Sequence, residues 1–256
     1  MIIDRNNLFE GKILPFIRIG IVILGVLLLA NIISRIFYPF CNGTWESMNW
    51  MPAAHLLEGK NPYAFAFKPP YSMTPYGIVF YALIAAGVEL FGFQMWFGRI
   101  LSVAAFAACL WVIFKITKKI TRNNEAALAA CLAGLAMFPA QVWIGIMRSD
   151  IIAAAFAMAA LRLVFTLEED RKTSFQRIAG IILLALAAFF TKQTLLLPTA
   201  FIFLRFLQLK KWRESAWFFL GFSIPALCGM FLLNQTSSGG YFWQHFTYAQ
   251  TLPFGL

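Results

Sequence analysis

Apolar residues along this chain fall in long runs separated by short polar stretches. The first run extends from about Ile13 to Phe37 behind a charged amino-terminal head, and others cover roughly 96–116, 125–144, 150–167, 178–191, 194–209 and 215–233. Each is long enough, or nearly so, to cross a hydrocarbon core of about 30 Å as a helix. The pattern predicts an all-α polytopic membrane protein with about seven transmembrane helices. A signal peptide has a shorter apolar core and a small-residue cleavage site, so the first run reads as a retained anchor. With no repeat at solenoid periods and no low-complexity linker, residues 1–256 read as a single transmembrane domain.

One apolar stretch, "PYGIVFYALIAAGVELFGF" from Pro75 to Phe93, resists this count. As a full crossing it would carry Lys115, Lys118, Lys119 and Arg122 to the outside, against the tendency of cytoplasmic loops to hold Lys and Arg. Laid along the outer surface, it lets the amino terminus, "KITKKITRNNE", "EEDRKTSFQR" and "LKKWRE" share the cytoplasmic side, with 15 of the 21 Lys and Arg. The six outer cations are then Arg35, Lys60, Lys68, Arg99, Arg148 and Lys192. The outer acids are Glu46, Glu58, Glu89 and Asp150.

Composition changes the picture by exclusion. Hydrophobic residues make up 61% of the chain and charged residues 12%, with a mean hydropathy of +0.73; a soluble domain is excluded. The net charge of +10 sits between apolar spans, not interleaved on a soluble basic face, so no nucleic acid is expected as a partner. Cys41, Cys109, Cys131 and Cys228 lie far apart without metal-ligand spacing and read as packing residues.

Three outer stretches can carry chemistry. The first loop, about Cys41 to Gly98, contains "NGTWESMNWMPAAHLLEGKNPYAFAFKPPYSMTPYG". Thr44 is expected to cap a helix carrying Glu46, Pro52 to bend it and Gly59 to end it. Trp45, Trp50, Met51, Leu56 and Leu57 make that helix amphipathic and suited to the membrane interface. The second stretch, "GIMRSD", opens an alanine-rich helix. The third is "FFTKQTLLLP", where Lys192 ends a span of only about fourteen residues. So short a span stops below the headgroups unless its end lines a polar cavity, which places Lys192 in a recess.

The succession "WES…LLEGKNPY…KPP…TPYG…ELFGFQMWFGR", then "MRSD", "FFTKQTLLLP" and "GGYFWQHF" resembles the amino-terminal membrane half of GT-C glycosyltransferases. The protein O-mannosyltransferases and the aminoarabinose transferase acting on lipid A are of this kind. The resemblance spans nearly the whole chain. It implies a GT-C-like fold with juxtamembrane helices in the first loop, a polyprenyl-phosphate-linked sugar as donor, and a lipid, glycan or protein acceptor. It also implies a multi-pass protein of the cell (inner) membrane with its active face outside the cytoplasm. Matched residue by residue, Asp150 falls on the second-loop acid, Lys192 on the recessed lysine, Lys68 on the first-loop lysine facing the donor phosphate, and Glu46 near the first-loop acid. Members of the family typically carry Asp, often Asp-Glu, where this chain has Trp45-Glu46. They also continue past the position of Leu256, so a carboxy-terminally truncated chain is expected.

A polyprenyl phosphate sugar presents an anionic phosphodiester at headgroup depth, and its departure concentrates charge on the phosphate. Fixed cations stabilise that charge far better there than in water; Lys68, Lys192 and Arg148 are the candidates. A carboxylate takes the acceptor proton, with Glu46 and Asp150 as candidates facing one cavity. Gln193, Tyr63 and Tyr76 are expected to support them. No cofactor and no metal site is expected, a divalent metal being left open. Simpler roles compete: Arg148 and Asp150 as a helix-start pair, Lys192, Arg162 and Arg205 as snorkelling cations, Arg35 and Arg99 as boundary markers facing lipid phosphate. His55 and His245 are too far apart to suggest a local metal motif. A catalytically silent partner of the same fold, or a small-solute transporter, are the other functional readings.

The topology is directly testable. In a background without native cysteines, Asn61→Cys should react with an impermeant thiol reagent in intact cells and Asn123→Cys should not; equal labelling would overturn the surface placement of residues 75–93.

Overall fold

The computed structural model describes residues 14–137, 143–167 and 174–247. Those residues form helices and connecting turns, with no strand among them. Helix α1 (Leu14–Ile36) leads into a first loop built from α2 (Thr44–Ser47), α3 (Trp50–Leu57) and a 3-10 turn (Pro62–Ala66). After α4 (Ile78–Phe91) come α5 (Met95–Thr121), α6 (Asn124–Ala136), α7 (Ser149–Leu167), α8 (Phe175–Thr191), α9 (Leu196–Gln208) and α10 (Trp212–Thr236). A short α11 (Gly240–Phe242) runs into a π-helical turn, Trp243–Thr247.

Helices α5, α7 and α10 are long and apolar enough to cross a membrane, which gives three of the seven expected crossings on length alone. Val22–Ile36 of α1, and α4, α6, α8 and α9, are apolar but shorter. The run expected over 125–144 ends as a helix at Ala136, and 138–142 lie outside the described residues. So do the charged amino-terminal head and residues 168–173 of "EEDRKTSFQR".

Local chemistry sets the helix ends. Asn123 opens α6, its side-chain oxygen accepting the N–H groups of Glu125 at 2.7 Å and Ala126 at 3.3 Å. Ser174 opens α8 by accepting the Arg177 N–H at 3.4 Å. Gly59, at φ +69, ends α3 as expected: its N–H reaches the Leu56 carbonyl at 3.0 Å and that of Lys60 the His55 carbonyl at 2.8 Å. Pro52 does not bend a continuous helix. The helix is instead interrupted between Ser47 and Trp50, and Pro52 sits in the first turn of α3, where its missing N–H has no intrahelical partner to lose.

Two clusters position the elements. Ala160 and Val164 of α7, Ile181 and Ala185 of α8, Phe206 of α9 and Phe218 of α10 share one core, and the two alanines let α7 and α8 approach closely. Ala53 of α3, Phe80 and Ile84 of α4, Met147 just before α7 and Ile152 of α7 form a second. Helix α4 packs chiefly on α3 and touches the α8 region. At that point the Gly77 N–H donates to the Thr191 carbonyl at 3.0 Å. A Cβ at position 77 would stand 2.0 Å from the Phe190 carbonyl oxygen, so only glycine permits the approach. This pin sets Tyr76 against the end of α8, beside Lys192.

Gly77→Ala should therefore destabilise the detergent-solubilised protein by about 1–3 kcal/mol, read as a lowered Tm. Gly43→Ala, with open space around it, should leave Tm unchanged; equal Tm values for the two variants would show that the first loop is not docked on α8.

Candidate active site

The first-loop acid lies at the bottom of the loop. Glu46 and Arg99 are both fully buried and form a two-pronged pair, Nε to Oε1 at 2.8 Å and Nη2 to Oε2 at 2.7 Å. The remaining hydrogen-bonding capacity of both groups is also used. Oε2 accepts the Asn42 N–H at 2.8 Å and Oε1 the Met147 N–H at 3.1 Å. Arg99 donates to the carbonyls of Arg35 at 2.9 Å, Ile36 at 3.3 Å and Phe40 at 2.6 Å, and to that of Tyr38. The expected boundary role for Arg99 is thus corrected: its partners are the end of α1 and a carboxylate, all inside the protein. The expectation that Glu46 and Asp150 face one cavity is corrected too, because Glu46 has no exposed surface and each of its oxygens accepts two hydrogen bonds.

What Glu46 does hold is the backbone that presents Asp150. Its carboxylate takes the Met147 N–H, Asn49 donates to the Met147 carbonyl at 3.0 Å, and the Ser102 hydroxyl accepts the Arg148 N–H at 3.4 Å. With residues 147–148 fixed, α7 starts at Ser149 with Asp150 in its first turn, where unpaired N–H groups favour a negative charge. Lys192 caps the carboxy-terminal end of α8, where carbonyls favour a cation. The two helix ends meet, and Asp150 pairs with Lys192 through Oδ1 and with Arg148 Nε through Oδ2 at 3.2 Å. Side-chain exposures of 17% for Arg148, 25% for Asp150 and 24% for Lys192 leave this trio reachable from outside.

Aromatic residues wall the trio. The Arg148 guanidinium carbon lies 4.5 Å from the Trp143 ring centre, and the Lys192 ammonium 5.8 Å from that of Tyr76. Burial pushes the Tyr76 phenol up from its ordinary range, with the nearby Arg148 charge opposing. Tyr63, fully buried, donates to the Tyr76 carbonyl at 2.8 Å. Gln193 donates to the Tyr241 hydroxyl at 2.9 Å. Lys68 is not gathered in: it is exposed on the first loop, 5.4 Å above the Phe65 ring centre, and no hydrogen bond or ion pair joins it to the trio.

The segment after α10 closes this wall. Gln244 donates to the Ser72 carbonyl at 3.3 Å and accepts the Thr74 N–H. His245 lies tilted against Tyr241 at 4.5 Å and edge-on to Tyr63 at 5.3 Å between ring centres. Its Nδ1 meets the Tyr241 carbonyl at 2.9 Å while its buried Nε2 has no partner. Burial holds this imidazole below its ordinary pKa, against the carbonyl contact, so it is neutral at pH 7. Sequence reasoning missed Arg99, Asn49, Tyr241 and His245 as parts of the assembly. The Arg99–Glu46 pairing had one visible signal, a surplus of outer cations with few outer acids to meet them. Among the described residues no group of three or more His, Cys, Asp or Glu is placed to hold a metal.

The described residues thus form an all-helical bundle with membrane-length helices and a charged trio where two helix ends meet. The chain belongs to the dolichyl-phosphate-mannose-protein mannosyltransferase family, which matches residues 74–233. That stretch contains Tyr76, Arg148, Asp150, Lys192 and Gln193, and leaves Glu46, Tyr63 and Lys68 outside. No curated protein and no solved structure matches the chain.

Removing one member of the buried pair should unbalance the other. Glu46→Gln is expected to reduce stability by on the order of 3–5 kcal/mol, while Glu46→Met combined with Arg99→Met recovers part of the loss. Thermal unfolding of the three proteins checks this; an unchanged Tm in Glu46→Gln would contradict the enclosure of the pair.

Proposed function

We propose that the chain is the donor-handling part of an enzyme that moves a sugar from a polyprenyl-phosphate-linked donor to an acceptor hydroxyl at the outer face of the cell membrane. The Arg148–Asp150–Lys192 trio carries this reading: one carboxylate between two cations, partly exposed at the meeting of two helix ends, within the stretch that matches the family. Two cations and one acid leave a net charge of +1, suited to an anionic phosphate. In the proposed step the acceptor oxygen attacks the anomeric carbon and its proton passes to Asp150. The bond to the phosphate breaks with its electron pair on the departing polyprenyl phosphate. Attack from behind inverts the anomeric configuration. Base and leaving group then stand on opposite faces of the sugar, so Asp150 releases at least one cation to the phosphate when the donor is seated. Lys192, a compact charge on a flexible stem, is the one suited to turn. Arg148, held on Trp143, stays as a fixed donor, and Lys68 adds a cation from the first loop.

Assigning the base to Asp150 follows from the enclosure of Glu46. The same enclosure favours a second reading, a catalytically silent partner that keeps the fold.

In membranes carrying the protein, Asp150→Asn should lower sugar transfer by roughly 10²–10⁴-fold with donor binding retained, and Lys192→Met should weaken polyprenyl phosphate binding. Normal transfer by Asp150→Asn would overturn the assignment of the base to Asp150. No transfer by the wild type from any polyprenyl phosphate sugar tested would favour the silent partner.

A further inference from the structure

Helices α5, α6 and α7 enclose an apolar groove of about 290 Å³ whose walls include Leu110, Ile113, Gly134, Ile151, Ala154 and Met158. Ile151, Ala154 and Met158 recur at three- and four-residue spacing and so form one stripe of α7. The next position on that stripe is Arg162. Each end of the stripe carries an arginine laid on a tryptophan: Arg148 at 4.5 Å from the Trp143 ring centre and Arg162 at 3.6 Å from that of Trp111. Their ion pairing differs. Arg148 is neutralised by Asp150. Arg162 shares Trp111 with a second cation, the Lys115 ammonium at 5.9 Å, and among the described residues no carboxylate forms an ion pair with either. This is also the end where α5 and α7 are tied by the Lys119 ammonium on the Phe165 carbonyl at 2.9 Å, so Lys118 and Arg122 lie close by in sequence.

We propose that this groove binds an anionic phospholipid, one chain along the Ile151–Met158 stripe and the phosphate on Arg162 and Lys115. A guanidinium flat on an indole keeps its N–H edge free for a planar pair of phosphate oxygens. Two cations without a carboxylate partner among the described residues, beside an apolar groove, match an anionic headgroup on a hydrocarbon chain, and a zwitterionic lipid satisfies them less well. Trp143 lines the groove at its other end, beside Arg148, but the phosphate position is separate from the trio. Fourteen residues of rise, about 21 Å along α7, lie between Arg162 and Arg148, and the proposal does not need Asp150 to be catalytic.

The test is lipid retention by native mass spectrometry of the detergent-purified protein, titrated with phosphatidylglycerol or phosphatidylcholine. Phosphatidylglycerol should be retained on the order of tenfold better. The double change Arg162→Gln, Lys115→Gln should erase that preference at unchanged Tm. Ala154→Phe, which fills the groove and leaves both cations, should reduce retention of both lipids. Millimolar inorganic phosphate should not displace the bound lipid, since the chain supplies part of the affinity; displacement would mean a phosphate site and overturn the lipid assignment. Equal retention of the two lipids, retention unaffected by both sets of changes, or a dimer in place of a lipid adduct would each overturn it as well.

Discussion

The first loop and the helix ends it meets are held together by one buried ion pair. Arg99, near the start of α5, reaches the carbonyls at and just past the end of α1 and the carboxylate of α2, and that carboxylate reaches the backbone just before α7. Three separated parts of the chain, residues 35–46, Arg99 and Met147, are tied through two side chains. A pair without exposed surface has lost its hydration, which is recovered only if every donor and acceptor is met. Here the guanidinium meets four carbonyls and a carboxylate, and the carboxylate oxygens take four donors. The arrangement therefore specifies geometry more than it adds stability: small displacements of α1, α2 or α7 leave a buried charge unmet.

The Arg148–Asp150–Lys192 trio depends on that geometry. Met147 is held on both sides of its peptide unit, so α7 begins at a fixed height and Asp150 stands where α8 ends. From the other direction the contact between Gly77 and Thr191 brings the first loop down onto the same helix end. The acid and its cations are thus set by backbone contacts on both flanks, while the side chains of the trio keep enough exposure to exchange partners. A rigid support beneath adaptable charges is what a site needs if it is to bind an anion and then release it.

Much of the fold was legible in the chain. Long apolar runs gave the helices, and the short span ending at Lys192 and the "MRSD" helix start pointed to the residues that meet. The limits lie in pairings between distant segments. Nothing local to Glu46 reveals that its partner is Arg99, so an outer acid read as reactive and an outer arginine read as a boundary marker, when each explains the other. Pro52 was misjudged for a different reason: a proline bends a helix only from its interior, and the start of α3 depends on a break at Met48 and Asn49 that has no strong sequence signal. Tyr241 and His245 were invisible as wall residues because their position follows from the return of the chain after α10.

That return has a consequence for biosynthesis. The amide of Gln244 completes the hydrogen bonding of Ser72 and Thr74 across about 170 residues, and Gly240 lies so close to Tyr63 that an added Cβ would meet its carbonyl oxygen at 2.1 Å. The first loop emerges early from the ribosome, yet the residues that lock its far edge are made only after α10. Until then Ser72 and Thr74 expose backbone groups without their final partners. The first loop consequently acquires its final shape only after α10 is made, and a ribosome arrested before residue 240 would leave the inserted helices without a finished rim.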